Sequence, residues 1–167
     1  MQTTRKVFVF LCLLTFACAA SARTEPAVVF LVRHAERADA GRAPEKDPDL
    51  SKKGKSHAEA LARELRDAGI TGIYATEYKR TQETAAPLSH SLGVSTQIVP
   101  AKETAALVEK VKAGSGRVLI VGHSNTLPEV ARALGISAPL KIGEDDYDDL
   151  FVVLTGAAPR LVHLHYR

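Results

Sequence analysis

Apolar positions along this chain form short continuous runs, separated by stretches of helical spacing and by turns marked with glycine or proline. Residues 27–32 (AVVFLV) are an uninterrupted apolar run, the pattern of a strand covered on both faces, and residues 117–121 (RVLIV) read as another buried-type strand. Between them, Ser51 is placed to cap a helix reaching to about residue 68. There Ala58, Leu61, Ala62, Leu65 and Ala68 keep one helical face, and Gly69 ends it. A short strand is expected within residues 70–76. A helix over residues 78–92 follows, interrupted near Pro87 and stopped by Gly93. Residues 96–99 read as a strand, 103–113 as a helix, 114–116 as a turn, and 127–134 as a helix with Pro128 near its start. Residues 150–154 and the alternating 161–166 predict two closing strands joined by a turn, the last of them at an edge. Strands alternating with helices imply an α/β fold, a three-layer α/β/α arrangement with a mostly parallel central sheet and an antiparallel edge.

The amino terminus follows a different pattern. Arg5 and Lys6 precede an apolar run over residues 7–20 that closes on Ala20-Ser21-Ala22. A basic start, a short apolar stretch and an A-x-A exit describe a secretory signal, and the stretch is shorter than the ~20 residues a spanning helix needs. The expected organisation is a cleaved signal at 1–22 and one domain at 23–167, periplasmic or secreted, with no stable membrane association once the signal is gone. Cys12 and Cys18 both lie in the signal; a lipoprotein anchored at Cys18 is the lesser alternative, since Thr15, Phe16 and Ala17 form a poor acceptor context. Cleavage would leave no thiol for a disulfide, a nucleophile or a metal.

Composition narrows the classes further. The 167 residues are 46% hydrophobic and 25% charged, within the globular range. The 22 basic and 19 acidic residues give +3, and loss of Arg5 and Lys6 lowers this to +1. Such a balance carries no nucleic-acid footprint.

In parallel α/β sheets the reactive crevice lies at the carboxyl ends of the strands. Three strand ends here carry polar groups: Arg33-His34, residues 76–80, and Gly122-His123-Ser124. Guanidinium forks match phosphate oxygens, and a neutral imidazole is a competent nucleophile toward phosphorus. The sequences Leu31-Val32-Arg33-His34-Ala35-Glu36, Thr76-Glu77-Tyr78-Lys79-Arg80-Thr81-Gln82-Glu83-Thr84-Ala85 and Val121-Gly122-His123-Ser124-Asn125 occur in this order. In them the chain resembles the histidine phosphatase superfamily, with its phosphoglycerate mutase-like fold, and its small branch-1 members such as bacterial phosphohistidine phosphatases. The resemblance implies a metal-independent phosphatase acting through a phosphohistidine at His34. Arg33, Arg80 and His123 would hold the phosphoryl group, His123 counting among the catalytic residues as well. The implied substrate is a phosphorylated small molecule or a phosphoprotein, and no cofactor is expected. Export and the lack of long insertions favour a phosphatase over a mutase.

Two departures from the family pattern stand out. Ala35 occupies the place of a glycine, which is tolerable unless that backbone needs positive φ. Ser124 follows His123 where one branch has an acid, so the acid is sought between the second and fourth strands, with Glu103 as candidate; the alternative for Glu103 is a solvated residue in the first turn of a helix. Glu36 is the weaker candidate, expected to pair with a nearby arginine such as Arg37, and His57 and His90 are expected at the surface. His163 and His165 share one face of the last strand as two metal ligands might, but a pair without a third donor defines no site, and no metal is expected.

Two other readings compete. Gly122-His123-Ser124-Asn125 begins like the G-x-S-x-G elbow of α/β-hydrolases, with Ser124 as nucleophile and acids and histidines following in chain order. Against it, Thr126 stands where the last glycine belongs, and Arg33-His34 is left without a role. A non-catalytic phosphate-binding module is the third reading, suggested by Ala35 and the unsettled acid.

Overall fold

The computed structural model describes residues 26–38 and 46–166. The expected export signal, with both cysteines, lies outside the described residues, as do Gly41 and Pro44 of the loop after the first strand. In chain order the elements are β1 (Val28–Arg33), α1 (Lys52–Leu65), β2 (Gly72–Ala75), α2 (Lys79–Leu92), β3 (Thr96–Ile98), α3 (Thr104–Ala113), β4 (Arg117–Gly122), α4 (Thr126–Ala133), β5 (Asp149–Leu154) and β6 (Arg160–His165). They form one six-stranded sheet in the order β3-β2-β4-β1-β5-β6. The first four of these pair in parallel; β5 runs antiparallel to β1, and β6 antiparallel to β5 at the edge. The expected three-layer class with an antiparallel edge is what is found.

Successive side chains of a strand point to opposite faces, so a continuous apolar run feeds two cores at once. Val29 and Leu31 of β1, Ile120 of β4 and Phe151 and Val153 of β5 pack with Leu107, Val108, Leu127 and Val130 of α3 and α4. Val32, Leu119, Val121 and Leu150 face the other way, onto Leu61, Leu65, Ala85 and Leu88 of α1 and α2. Among the described residues no helix is long and apolar enough to cross a membrane.

Local signals set the helix ends. Ser51 Oγ accepts the Gly54 N–H at 3.0 Å, the cap expected from sequence, and Gly93 stops α2 in the left-handed conformation at φ 66°. Helix α1 ends three residues earlier than its apolar spacing suggested, at Leu65, and Ala68 lies in the turn before Gly69. Gly54 has a packing reason as well. A Cβ there would collide with the Glu36 carbonyl oxygen, so only glycine lets α1 start directly beneath the loop that follows β1. This loop is also tied down by the Ser51 N–H, which donates to the same carbonyl at 2.8 Å.

Candidate active site

Strands β1 and β4 pair in register with Arg33 opposite Gly122, and the His34 N–H donates to the Gly122 carbonyl at 3.0 Å. This pairing carries His34 and His123 off adjacent strand ends into one crevice, where their ring centroids lie 5.4 Å apart at 63°. Gly122 lets α4 start close against the end of β4: a Cβ there would come within 2.8 Å of the Leu127 side chain. Both imidazoles are buried.

The hydrogen bonds of each ring decide which nitrogen faces a ligand. His34 Nδ1 lies 2.8 Å from the Ala35 carbonyl oxygen, an acceptor only, so Nδ1 carries the proton and Nε2 holds the free lone pair. His123 Nε2 is bonded to Thr76 Oγ1 at 3.0 Å, which leaves Nδ1 available. Thr76 Oγ1 is itself 2.9 Å from Thr81 Oγ1, and Thr81 donates to the Tyr78 carbonyl at 2.7 Å. Ala35 is wholly buried; its N–H donates to Thr84 Oγ1 at 2.9 Å, and Thr84 donates in turn to the Arg80 carbonyl. No residue other than glycine has positive φ among the described residues, so alanine fits this turn without strain.

Burial, the larger cause, and the neighbouring guanidiniums hold both imidazoles neutral. Desolvation, then the charges of Arg80, His123 and Arg33, outweigh the Ala35 hydrogen bond and bring the His34 pKa down to about 3. Desolvation, Arg80 and Arg33 lower that of His123 to about 4, against an opposing pull from Glu77. The Arg33 guanidinium lies 4.3 Å over the Tyr147 ring, and its Nη1 donates to the carbonyls of Gly143 and Glu144 at 2.6 and 2.8 Å. Its Nε is buried without a hydrogen bond among the described residues. The Arg80 guanidinium lies 4.3 Å over Tyr78, with Nη1 3.8 Å from Asp47 Oδ1. The result is a cationic cluster with an unprotonated nitrogen in it, complementary to an anion that carries an electrophilic centre.

Arg33, His34, Arg80 and His123 thus come together, as the motifs required. Glu103 is the exposed N-cap residue of α3, and its carboxylate has no hydrogen bond or ion pair among the described residues. The acid whose charge reaches His123 is Glu77, whose Oε2 accepts the Ala101 N–H at 2.7 Å. Glu36 is buried and pairs with Lys53 at 3.0 Å and with His57 Nδ1 at 2.9 Å. His57 is therefore half-buried and partnered, a correction to its expected place at the surface, while His90 is exposed as expected. Ser124 is exposed at the end of β4, three strand spacings from β6, about 14 Å at the usual inter-strand distance. That separation takes His163 and His165 out of reach and removes the hydrolase triad.

Thr76, Tyr78 and Tyr147 were not singled out from sequence. Thr76 lay inside a polar strand end, but its bond to His123 depends on β2 and β4 pairing. Tyr147 comes from a loop more than a hundred residues from Arg33, and no sequence signal marks it.

Comparisons with known proteins agree with this geometry. The fold is that of small phosphoglycerate mutase-like phosphatases. The structure of the protein histidine phosphatase SixA complexed with tungstate superposes with a TM-score of 0.65 at 17% identity, covering 83% of this chain and 96% of that one. The alpha-ribazole phosphatase from Shigella flexneri gives 0.68 at 15% identity, over 83% and 96%. A mycobacterial glucosyl-3-phosphoglycerate phosphatase gives 0.65 at 14%, over 83% and 97%. Curated protein sequences give no match. The sequence model of the histidine phosphatase superfamily (branch 1) matches residues 29–109, about half of the chain, including Arg33, His34 and Arg80. Over those residues the chain matches the histidine phosphatase superfamily.

Proposed function

We propose that the protein is an exported phosphatase, periplasmic or secreted, that hydrolyses phosphomonoesters or protein phosphohistidine through a phosphohistidine at His34, without a metal in the reaction. The observation that carries this reading is the orientation of His34: Nδ1–H is tied to the Ala35 carbonyl and a neutral Nε2 is left in a pocket walled by Arg33, Arg80 and His123.

The chemistry follows from that placement. Nε2 attacks phosphorus, and the P–N bond forms as the ester P–O bond breaks. Arg33 and Arg80 neutralise charge on the equatorial oxygens, while the bond between Thr76 Oγ1 and His123 Nε2 fixes the His123 ring beside them. The departing alkoxide takes a proton from a carboxylic acid. Both Glu77 and Glu103 are exposed, and Glu77 fits this role better because its charge bears on His123. Water then attacks phosphorus, the P–N bond breaks, the acid recovers its proton and phosphate leaves. Relatives of this fold act on protein phosphohistidine, alpha-ribazole phosphate and glucosyl-3-phosphoglycerate, so the shared substrate feature is the phosphoryl group. Export rests on the basic-apolar-A-x-A pattern of residues 5–22.

The test is turnover of aryl and alkyl phosphates by purified protein, beside calorimetric titration with inorganic phosphate. Release of the alcohol, undiminished by EDTA, is expected. Tight phosphate binding with no alcohol released would make the protein a binding module, and loss of activity in EDTA that His163→Gln/His165→Gln does not reproduce would place a metal in the reaction.

A further inference from the structure

The β5–β6 hairpin carries a second group of histidines at the edge of the sheet. Its antiparallel register sets Asp149 opposite His165 and Phe151 opposite His163, so all four side chains share one face. The His163 ring stacks on Phe151, with centroids 4.4 Å apart and planes at 20°, which fixes its orientation. His163 Nε2 lies 2.6 Å from Asp149 Oδ1, and His165 Nδ1 lies 3.3 Å from the same oxygen. The three donor atoms fall within 4.8 Å of one another. Asp149 is buried at 5% exposure, whereas both imidazoles are open to solvent.

We propose that Asp149, His163 and His165 form a binding site for a divalent transition-metal ion of the zinc type. A buried carboxylate requires a compensating charge, and a neutral imidazole supplies only a hydrogen bond. Among the described residues, the ion-pair partners of Asp149 are these two histidines. Two nitrogens and one carboxylate oxygen suit Zn²⁺ and its neighbours and are poorly suited to Mg²⁺ or Ca²⁺, which take oxygen. Bonds of the usual length around a tetrahedral Zn²⁺ place ligand atoms about 3.3 Å apart. The His165–Asp149 edge already has that span; the 2.6 Å edge widens when the metal displaces the proton between His163 and Asp149. The exposed imidazoles give the entry path, and water completes the coordination. Asp148 Oδ1, 3.8 Å from His165 Nδ1, is the nearest further carboxylate.

The site is structural in consequence. Its residues join the start of β5 to the end of β6, and the segment entering β5 carries Tyr147, which supports Arg33. Tyr166, the residue after β6, holds the same segment by donating its backbone N–H to the Asp148 carbonyl and its hydroxyl to the Tyr147 carbonyl, both at 2.9 Å. A bound ion would therefore brace one wall of the crevice without touching substrate. This inference is independent of the phosphatase reading.

The test is calorimetric titration of EDTA-treated, dialysed full-length protein with ZnCl₂, beside thermal melting with and without the ion. One Zn²⁺ per chain is expected, with a rise in Tm that grows with the ion concentration. Loss of even an outer partner of a metal ligand typically costs about 10- to 100-fold in affinity, so His163→Gln/His165→Gln should weaken binding at least that much. This variant alters only exposed positions, and Asp149→Asn provides a second check. His34→Asn/His123→Asn should bind Zn²⁺ as the wild type does. Absence of saturable binding, or binding that survives the hairpin changes and vanishes with the crevice changes, overturns the proposal.

Discussion

Two pairs of histidines sit on neighbouring parts of one sheet, and their surroundings assign them opposite chemistry. His34 and His123 are buried between arginines, so adding a proton to either is penalised by lost solvation and by like charge. They remain neutral, and the cations around them await an anion. His163 and His165 are exposed and converge on the carboxylate of Asp149, an arrangement that attracts a cation. The side chain is the same in both places. What differs is the company: β1 and β4 deliver their histidines beside Arg33 and the Arg80 of α2, while β5 delivers an aspartate.

Substitutions should separate the pairs sharply. The largest effect is expected for His34→Ala, which removes the attacking nitrogen and with it essentially all turnover, whereas His163→Gln/His165→Gln leaves kcat within about twofold. Survival of His34→Ala activity within about tenfold, worth roughly 1.4 kcal/mol of barrier, would mean another group attacks phosphorus. Arg80→Ala comes next. Deleting one preorganised donor to the developing charge typically costs about 10² to 10³ in kcat, measured on an aryl phosphate, and Arg80→Lys should recover only part of it.

Proton donation offers a finer comparison between two carboxylates. Glu77→Gln should lower kcat by about 10² or more on alkyl phosphates and much less on nitrophenyl phosphate, whose leaving group needs no proton. Glu103→Gln should leave both nearly unchanged; the reverse pattern would return the acid to Glu103.

The pH dependence is the most graded effect. His34 accepts a proton only near pH 3, so the acid limb of kcat/KM should lie far below the ordinary histidine range. Arg80→Ala removes a nearby cation, eases protonation, and should move that limb to higher pH. Stability has a related sign. The unfolded chain takes up protons at both histidines below about pH 6.5, and the folded chain does so only near pH 4 and 3. Protons thus favour unfolding across that window, and the urea midpoint should fall from pH 7 to pH 5, less so in His34→Gln.

The fold was largely legible because its central strands are covered on both faces, which leaves continuous apolar runs in β1 and β4 that no amphipathic helix would show. The crevice was legible for the same reason, since those runs end abruptly in Arg33-His34 and Gly122-His123. What escaped depends on register or on returning loops. Glu36 meets Lys53 and His57 only because Gly54 lets α1 start against the loop. Tyr147 reaches Arg33 across the whole chain. His163 and His165 were visible as a pair, but their third donor, fourteen residues earlier, is brought opposite by the hairpin register alone.

The account depends most on a covalent bond between phosphorus and His34 Nε2. Rapid quenching of the enzyme during turnover, followed by peptide mass spectrometry under alkaline conditions, tests it directly. The expected result is a phosphoryl group on the peptide containing His34, lost on brief acid treatment and absent in His34→Ala. Full turnover with no such adduct, or an acid-stable adduct on Ser124, would contradict it.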